Sequence, residues 1–195
     1  IIQGNSLIEK FKGINFGSKI FEDKNSSLEM FATQSSLEGL IKKLAIKQSD
    51  FFKSISYSKK KILKKDIEFL MIEIFKCIIE NSYSDSKSKL DLNEIENLIS
   101  INTYRNFFPW GIFFADVFYL NGGFDIVVSN PPYIGIKQVN KFDWKNDLKE
   151  SYSFLDDLYN HFTFLASFIV KDKGIVTFIT SDTFMTLQTK KICVI

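Results

Sequence analysis

Phe124-Asp125-Ile126-Val127-Val128-Ser129-Asn130-Pro131-Pro132-Tyr133-Ile134 is the stretch on which the fold reading turns. Asn121-Gly122-Gly123 sets a turn before it. The run to Ser129 has strand length and β-branched residues, and the two prolines end it because they lack the N–H that a ladder needs. It is short and apolar, and reads as a buried strand of the kind found in a parallel sheet. Downstream, Asp156 to Val170 places Leu158, Phe162, Leu165 and Ile169 on one helical face. That segment opens with two aspartates at the positive end of the helix dipole and closes in Lys171-Asp172-Lys173-Gly174. Ile175 to Thr180 is then a second apolar strand. Strand, helical connection, strand predicts a βαβ unit with its strands parallel, so the fold class is α/β.

Upstream the pattern is helical. Leu28 to Phe52 and Ile62 to Tyr83 exceed strand length and space their apolar residues at helical intervals. The second helix is apolar nearly all round (Ile67, Phe69, Leu70, Met71, Ile72, Ile74, Phe75, Ile78, Ile79), which predicts a place between other elements. Asn81 to Lys89 reads as a polar loop and Asp91 to Ile99 as a short helix capped by Asp91. Phe107 to Trp110 reads as core.

Composition bounds the classes. The chain has 195 residues, 45% of them hydrophobic and 25% charged, which excludes disorder along its length. Its most apolar stretch, Phe107 to Leu120, is broken by Pro109, Gly111 and Asp116, so no transmembrane helix and no membrane partner is expected. Two distant cysteines, Cys77 and Cys193, fit reduced thiols in a cytoplasmic protein, and with the single histidine His161 they give no metal-binding pattern. His161 lies one position off the apolar stripe of its helix and is expected at the boundary of the core. The net charge is +2, but nine lysines between Ser36 and Lys65 face only Glu38 and Asp50. This stretch is either the solvated face of helices or a phosphate-contacting surface. The chain opens on Ile1-Ile2 and closes on Ile192-Cys193-Val194-Ile195 without capping signals, from which a fragment is expected.

Asn130 to Tyr133 sits at the carboxyl end of the first strand, where open α/β sheets place their ligands. An amide side chain, two prolines whose carbonyls lack local partners, and an exposed ring suit a planar molecule bearing an amino group. The oxygens of Asn130 and Pro131 would each accept an N–H, and Tyr133 would stack on the plane. Asp157 and Tyr159 begin the later helix beneath this loop, where capping and packing are their plain roles.

Asn130-Pro131-Pro132-Tyr133 resembles the signature of S-adenosylmethionine-dependent amino methyltransferases, chiefly the N6-adenine DNA methyltransferases of restriction-modification systems. Phe107-Phe108-Pro109-Trp110, Phe114 to Phe118 and Gly122 to Asp125 lead into it as in the large type IIG enzymes. Gly4-Asn5-Ser6-Leu7 looks like the turn after the family's third strand, and Gly174 to Phe184 like the strand and loop that follow the signature.

The resemblance implies a partial Rossmann-like methyltransferase sheet with a large helical insertion: residues 1–27 as the third-strand region, 28–105 as the insertion and 106–195 as the catalytic core. It implies catalytic roles for Asn130, Pro131, Pro132 and Tyr133, a cofactor contact at Asn5, S-adenosylmethionine as methyl donor, and double-stranded DNA with a flipped adenine as partner. The family's Gly-rich cofactor loop has no counterpart, since none of the nine glycines stands in a Gly-x-Gly arrangement. The chain alone is therefore expected to be inactive, not to bind S-adenosylmethionine measurably, and to be poorly soluble or aggregation-prone. Two other readings share the tetrapeptide: a protein-glutamine N5-methyltransferase, disfavoured by the helical block and the Phe-Pro-Trp lead-in, and a non-catalytic truncated remnant.

Overall fold

The computed structural model describes residues 3–17, 31–82 and 106–179 and divides the chain into two compact units, Ile1–Asn121 and Gly122–Ile195. The predicted helix at 91–99, the end residues 1–2 and the segment from Thr180 onward lie outside the described residues.

The first unit opens with a turn at Asn5 and a small antiparallel hairpin, β1 (Lys10–Phe11) and β2 (Ile14–Asn15). Lys12 and Gly13 connect them with φ of 49° and 80°, the left-handed pair that matches the twist of a two-residue hairpin. Helices α1 (Phe31–Lys53) and α2 (Tyr57–Ser82) come next, joined by the short turn Ser54 to Ser56. The sequence places the start of α2 at Ile62; it begins five residues earlier because Ser56 caps it. The Ser56 hydroxyl accepts the Lys59 N–H at 3.4 Å and its carbonyl accepts the Lys60 N–H at 2.9 Å.

The expected all-round burial of α2 is also corrected. Leu63, Met71, Ile74, Phe75, Ile78 and Ile79 are buried, whereas Ile62 and Phe69 face solvent. Burial is concentrated in the carboxyl half, where Phe75 joins Phe16 and Phe107 in a ring cluster with centroid distances of 4.7 to 6.3 Å. Phe107 and Phe108 are core residues, as their sequence context predicts. The Phe108 N–H donates to the Ile8 carbonyl, and the Trp110 indole donates to the Ser6 carbonyl at 2.9 Å, tying the N-terminal turn to the segment before α3 (Trp110–Phe113).

Between α3 and α4 (Ala115–Asn121) the helical ladder breaks, and Gln48 of α1 repairs it. Buried among apolar residues, Gln48 donates to the carbonyls of Ile112 (3.1 Å) and Phe113 (3.2 Å) and accepts the Asp116 N–H (3.0 Å). Nothing in its position in the sequence signals this role.

The second unit is built on β3 (Phe124–Ser129) and β4 (Val170–Phe178), a parallel pair in which Ile126, Val127, Val128 and Ser129 face Ile175, Val176, Thr177 and Phe178. The parallel α/β arrangement is therefore present. Two details differ from the sequence reading. First, β4 starts at Val170, since Phe124 pairs with Val170 and the four residues Lys171 to Gly174 bulge out before pairing resumes. Gly123 (φ 138°) and Gly174 allow this contact: a Cβ on Gly123 would meet the Lys171 nitrogen at 2.8 Å, and one on Gly174 the Phe124 carbonyl oxygen at 3.0 Å. Second, β3 is not a buried strand. Ile126 is 59% and Val128 74% exposed: alternate residues of one strand, they share a sheet face that nothing among the described residues covers. Helix α7 (Leu158–Ile169) packs against both strands, and the short helices α5 (Ile136–Val139) and α6 (Lys145–Tyr152) bury Val139 and Leu148. No helix of the described residues is long and apolar enough to cross a membrane.

Replacing Gln48 by Leu should lower stability by roughly 2–4 kcal/mol, because two carbonyls and an N–H lose their partner in a water-poor site. Chemical denaturation of the variant checks this, and an unchanged midpoint would show that the break between α3 and α4 relaxes freely.

Candidate active site

A strand that ends in two prolines has few donors with which to hold its own continuation. The loop from Asn130 to Ile136 is held from outside instead. The Tyr133 hydroxyl donates to the Ile179 carbonyl just beyond β4 at 3.0 Å, and the Ile179 N–H donates to the Ser129 carbonyl at 3.1 Å. On the other side the loop meets the N-terminus of α7: the Leu158 N–H donates to the Ile134 carbonyl at 2.8 Å, and the Ile136 N–H donates to Asp157 Oδ1 at 2.7 Å.

Asp157 stands at the cap position of α7; its carbonyl accepts the Asn160 N–H at 3.0 Å, but its side chain makes no cap hydrogen bond to its own helix. Its carboxylate serves the loop, and the loop's carbonyl serves the helix. Asp156 organises this corner, accepting the Asp157 N–H at 2.7 Å on Oδ1 and the Asn160 side chain at 2.9 Å on Oδ2. Asp157, read as a cap from sequence, thus forms a bridge to the loop, and Asp156 braces it.

These ties leave a defined set of groups over. The Asn130 side chain is exposed, and neither its carboxamide nor the Pro131 carbonyl has a hydrogen-bond partner among the described residues. Pro131 is buried while Tyr133 keeps its ring exposed. The expectation that both proline carbonyls stay open is corrected at Pro132, whose carbonyl accepts the Ile134 N–H at 3.0 Å. Asn5 lies in the other unit, half-buried, its side-chain oxygen accepting the Leu7 N–H at 3.3 Å and its carbonyl the Ile8 N–H at 3.2 Å. Burial pushes the Cys77 thiol up, away from the thiolate form a nucleophile requires. No group of three His, Cys, Asp or Glu side chains among the described residues is placed to hold a metal.

His161, expected at the core boundary, is fully buried. Its ring stacks on Phe154 (4.5 Å, 10°) and meets the edge of Tyr152, so the loop before α7 folds over it. Nε2 accepts the Asp156 N–H at 3.2 Å, which places the proton on Nδ1, and Nδ1 is buried without a partner among the described residues. Burial lowers its pKa from 6.5 to about 4, against the opposing pull of Asp156.

The unfolded chain therefore takes up a proton between pH 6.5 and about 4 that the folded chain refuses. Stability is complete above that window and falls as pH drops through it, by about 2 kcal/mol between neutrality and pH 5. Denaturation curves at the two pH values test this, and His161→Phe should flatten the difference. A pH-independent gap between wild type and variant would show that the imidazole is not buried neutral.

A family model described as Eco57I restriction-modification methylase matches residues 19–193. Neither the curated proteins nor the solved structures compared with the chain include a match. The family model spans β3, the Asn130 to Tyr133 loop, α7 and β4, with both long helices upstream. The chain thus belongs to the Eco57I restriction-modification methylase family, adenine-specific DNA N6-methyltransferases that use S-adenosylmethionine.

Proposed function

We propose that the Asn130 to Tyr133 loop is where the target adenine is held for methylation, flipped out of duplex DNA. The observation that carries this reading is the pairing pattern of the loop. Every tie to β4 and α7 uses Tyr133, Ile134 or Ile136, while the Asn130 carboxamide and the Pro131 carbonyl have no partner among the described residues.

The exocyclic nitrogen of adenine is a poor nucleophile because its lone pair is delocalised into the ring. Two acceptors holding its hydrogens, Asn130 Oδ1 and the Pro131 carbonyl oxygen, favour a pyramidal nitrogen whose lone pair is directed out of the ring plane. Pro131 and Pro132 stiffen the backbone between them, and the Tyr133 ring replaces stacking lost on flipping, a contact of about 1–3 kcal/mol.

S-adenosylmethionine, when bound, supplies an electrophilic methyl group on a sulfonium. The residues present fit a part of it. The Asn5 carboxamide is oriented by its own turn, its oxygen occupied by Leu7 and its NH2 without a partner among the described residues, so Asn5 would donate to an acceptor nitrogen of the nucleoside base. The partial Rossmann-like sheet, the organisation into residues 1–27, 28–105 and 106–195, and duplex DNA with a flipped adenine complete the reading. Its support is the family match and the parallel β3–β4 pair.

In a complete enzyme carrying this segment, Asn130→Ala should lower the methylation rate at least a hundredfold while changing DNA affinity little, since its oxygen acts on the reacting nitrogen. At Tyr133 the ring and the hydroxyl separate. Tyr133→Phe keeps the ring but frees the loop from Ile179, for an expected loss of about three- to tenfold, in line with one neutral hydrogen bond. Tyr133→Ala loses both and should cost more. Single-turnover methylation of a duplex, with affinity measured in parallel, distinguishes these effects; wild-type turnover by Asn130→Ala would sink the assignment.

A further inference from the structure

The tip of the α1–α2 hairpin is built for something the methyl-transfer site does not use. Around the turn Ser54 to Ser56 the large apolar side chains point away from the core: Phe52 is 68%, Ile55 99%, Tyr57 84% and Ile62 63% exposed. At the same end Lys53 closes α1, and Lys59, Lys60, Lys61, Lys64 and Lys65 fill the opening turns of α2. Between Asp50 and Lys65 six lysines stand against one acid.

Neighbouring acids do not offset this charge. Asp66 is taken by Lys47 at 2.7 Å, and Glu68 reaches Lys64 at only 3.9 Å. Lys60 lies over the Phe51 ring, 5.3 Å from its centroid. Lys53, Lys59, Lys61 and Lys65 have no acidic partner among the described residues.

For the fold alone the arrangement is unfavourable. Lysines in the opening turns of a helix add to the positive end of its dipole, and no acid occupies the first turn of α2 to counter them. Four large apolar side chains left in water contribute nothing to the core. Both features become favourable against a polyanion that also offers apolar surface: phosphates lie along duplex DNA at regular spacing, with sugars and base edges between them.

We propose that this tip is a duplex-DNA contact. Lys53, Lys59, Lys61 and Lys65 neutralise phosphates, and Ile55 and Tyr57 meet the sugar and base edges of the groove. The proposal takes from the family reading only that the substrate is DNA. Phosphate contacts position a duplex without reading its sequence, so the tip sets affinity and salt dependence and leaves the chemical step alone.

The test uses the full 195-residue chain and a labelled duplex, titrated between about 50 and 200 mM salt. Changing Lys53, Lys59, Lys61 and Lys65 together to Gln should reduce the slope of log K against log salt by about 3–4, at roughly 0.9 per phosphate released, and weaken binding more than tenfold at the midpoint. Ile55→Ser with Tyr57→Ser should weaken binding by about fivefold with the slope unchanged. All six side chains lie at the exposed tip, and cooperative unfolding of each variant confirms that it folds.

A four-lysine variant with the wild-type slope and affinity overturns the proposal, as does a wild-type chain that binds no duplex at the lowest salt. Wild-type binding to phosphatidylserine vesicles as tight as to the duplex overturns it as well. The two readings fail separately. In a complete enzyme carrying this segment, Asn130→Ala should keep the wild-type slope while losing methylation, so undiminished methylation by Asn130→Ala would sink the loop assignment alone, and a four-lysine variant with unaffected binding would sink the tip alone.

Discussion

Asp157 carries the constraint on which the second unit depends. A strand that runs into Pro131-Pro132 has few backbone donors to hold the loop beyond it, and a helix that starts at Leu158 has amides with no carbonyl below them. Each deficit is met by the other. The helix amide takes the Ile134 carbonyl, the Asp157 carboxylate takes the Ile136 amide, and both bonds lie between 2.7 and 2.8 Å. A bond to a charged acceptor contributes about 1.5–3 kcal/mol, and its partner about 1 kcal/mol, enough to select one conformation for an otherwise open loop. With the Tyr133 hydroxyl on Ile179, the loop is fixed at positions 133, 134 and 136, and Asn130 and Pro131 are presented without being used.

Preorganisation of that kind is what an in-line displacement on a weak nucleophile asks of a protein: no titrating side chain, but acceptors already in place. The chemistry of the other reactive side chains agrees. Cys77 is held as a thiol, and His161 is held neutral inside an aromatic stack. Family membership favours adenine over a glutamine amide, the two substrates that the tetrapeptide alone leaves open.

The first unit solves a similar deficit with a different residue. Its aromatic core, Phe16, Phe75 and Phe107, gathers three distant segments, and Gln48 supplies the polar complement where two short helices break. Beyond that core the α1–α2 hairpin continues into solvent, where lysines and apolar side chains collect at the tip. A tip of this composition is a surface that faces outward for a reason other than stability.

Local rules determined much of this molecule. Periodicity placed the two long helices, β-branched residues stopped by Pro131-Pro132 placed β3, and the tetrapeptide Asn130 to Tyr133 pointed to the chemistry, because helix, strand and turn preferences depend on residues near in sequence. Local rules failed where the deciding partner lies far along the chain. Burial of β3 could not be read from its apolarity, since the exposure of Ile126 and Val128 depends on which elements cover the strand. Asp157 reads as a cap and acts as a bridge over twenty-one residues to Ile136, while Gln48 serves carbonyls more than sixty residues away. His161 looks like a boundary residue until Phe154 and Tyr152 close over it. In each case side-chain type supplied the capacity to donate, accept or stack, and tertiary structure alone chose the partner, because a buried polar group takes its partner from whatever the packing brings within about 3 Å.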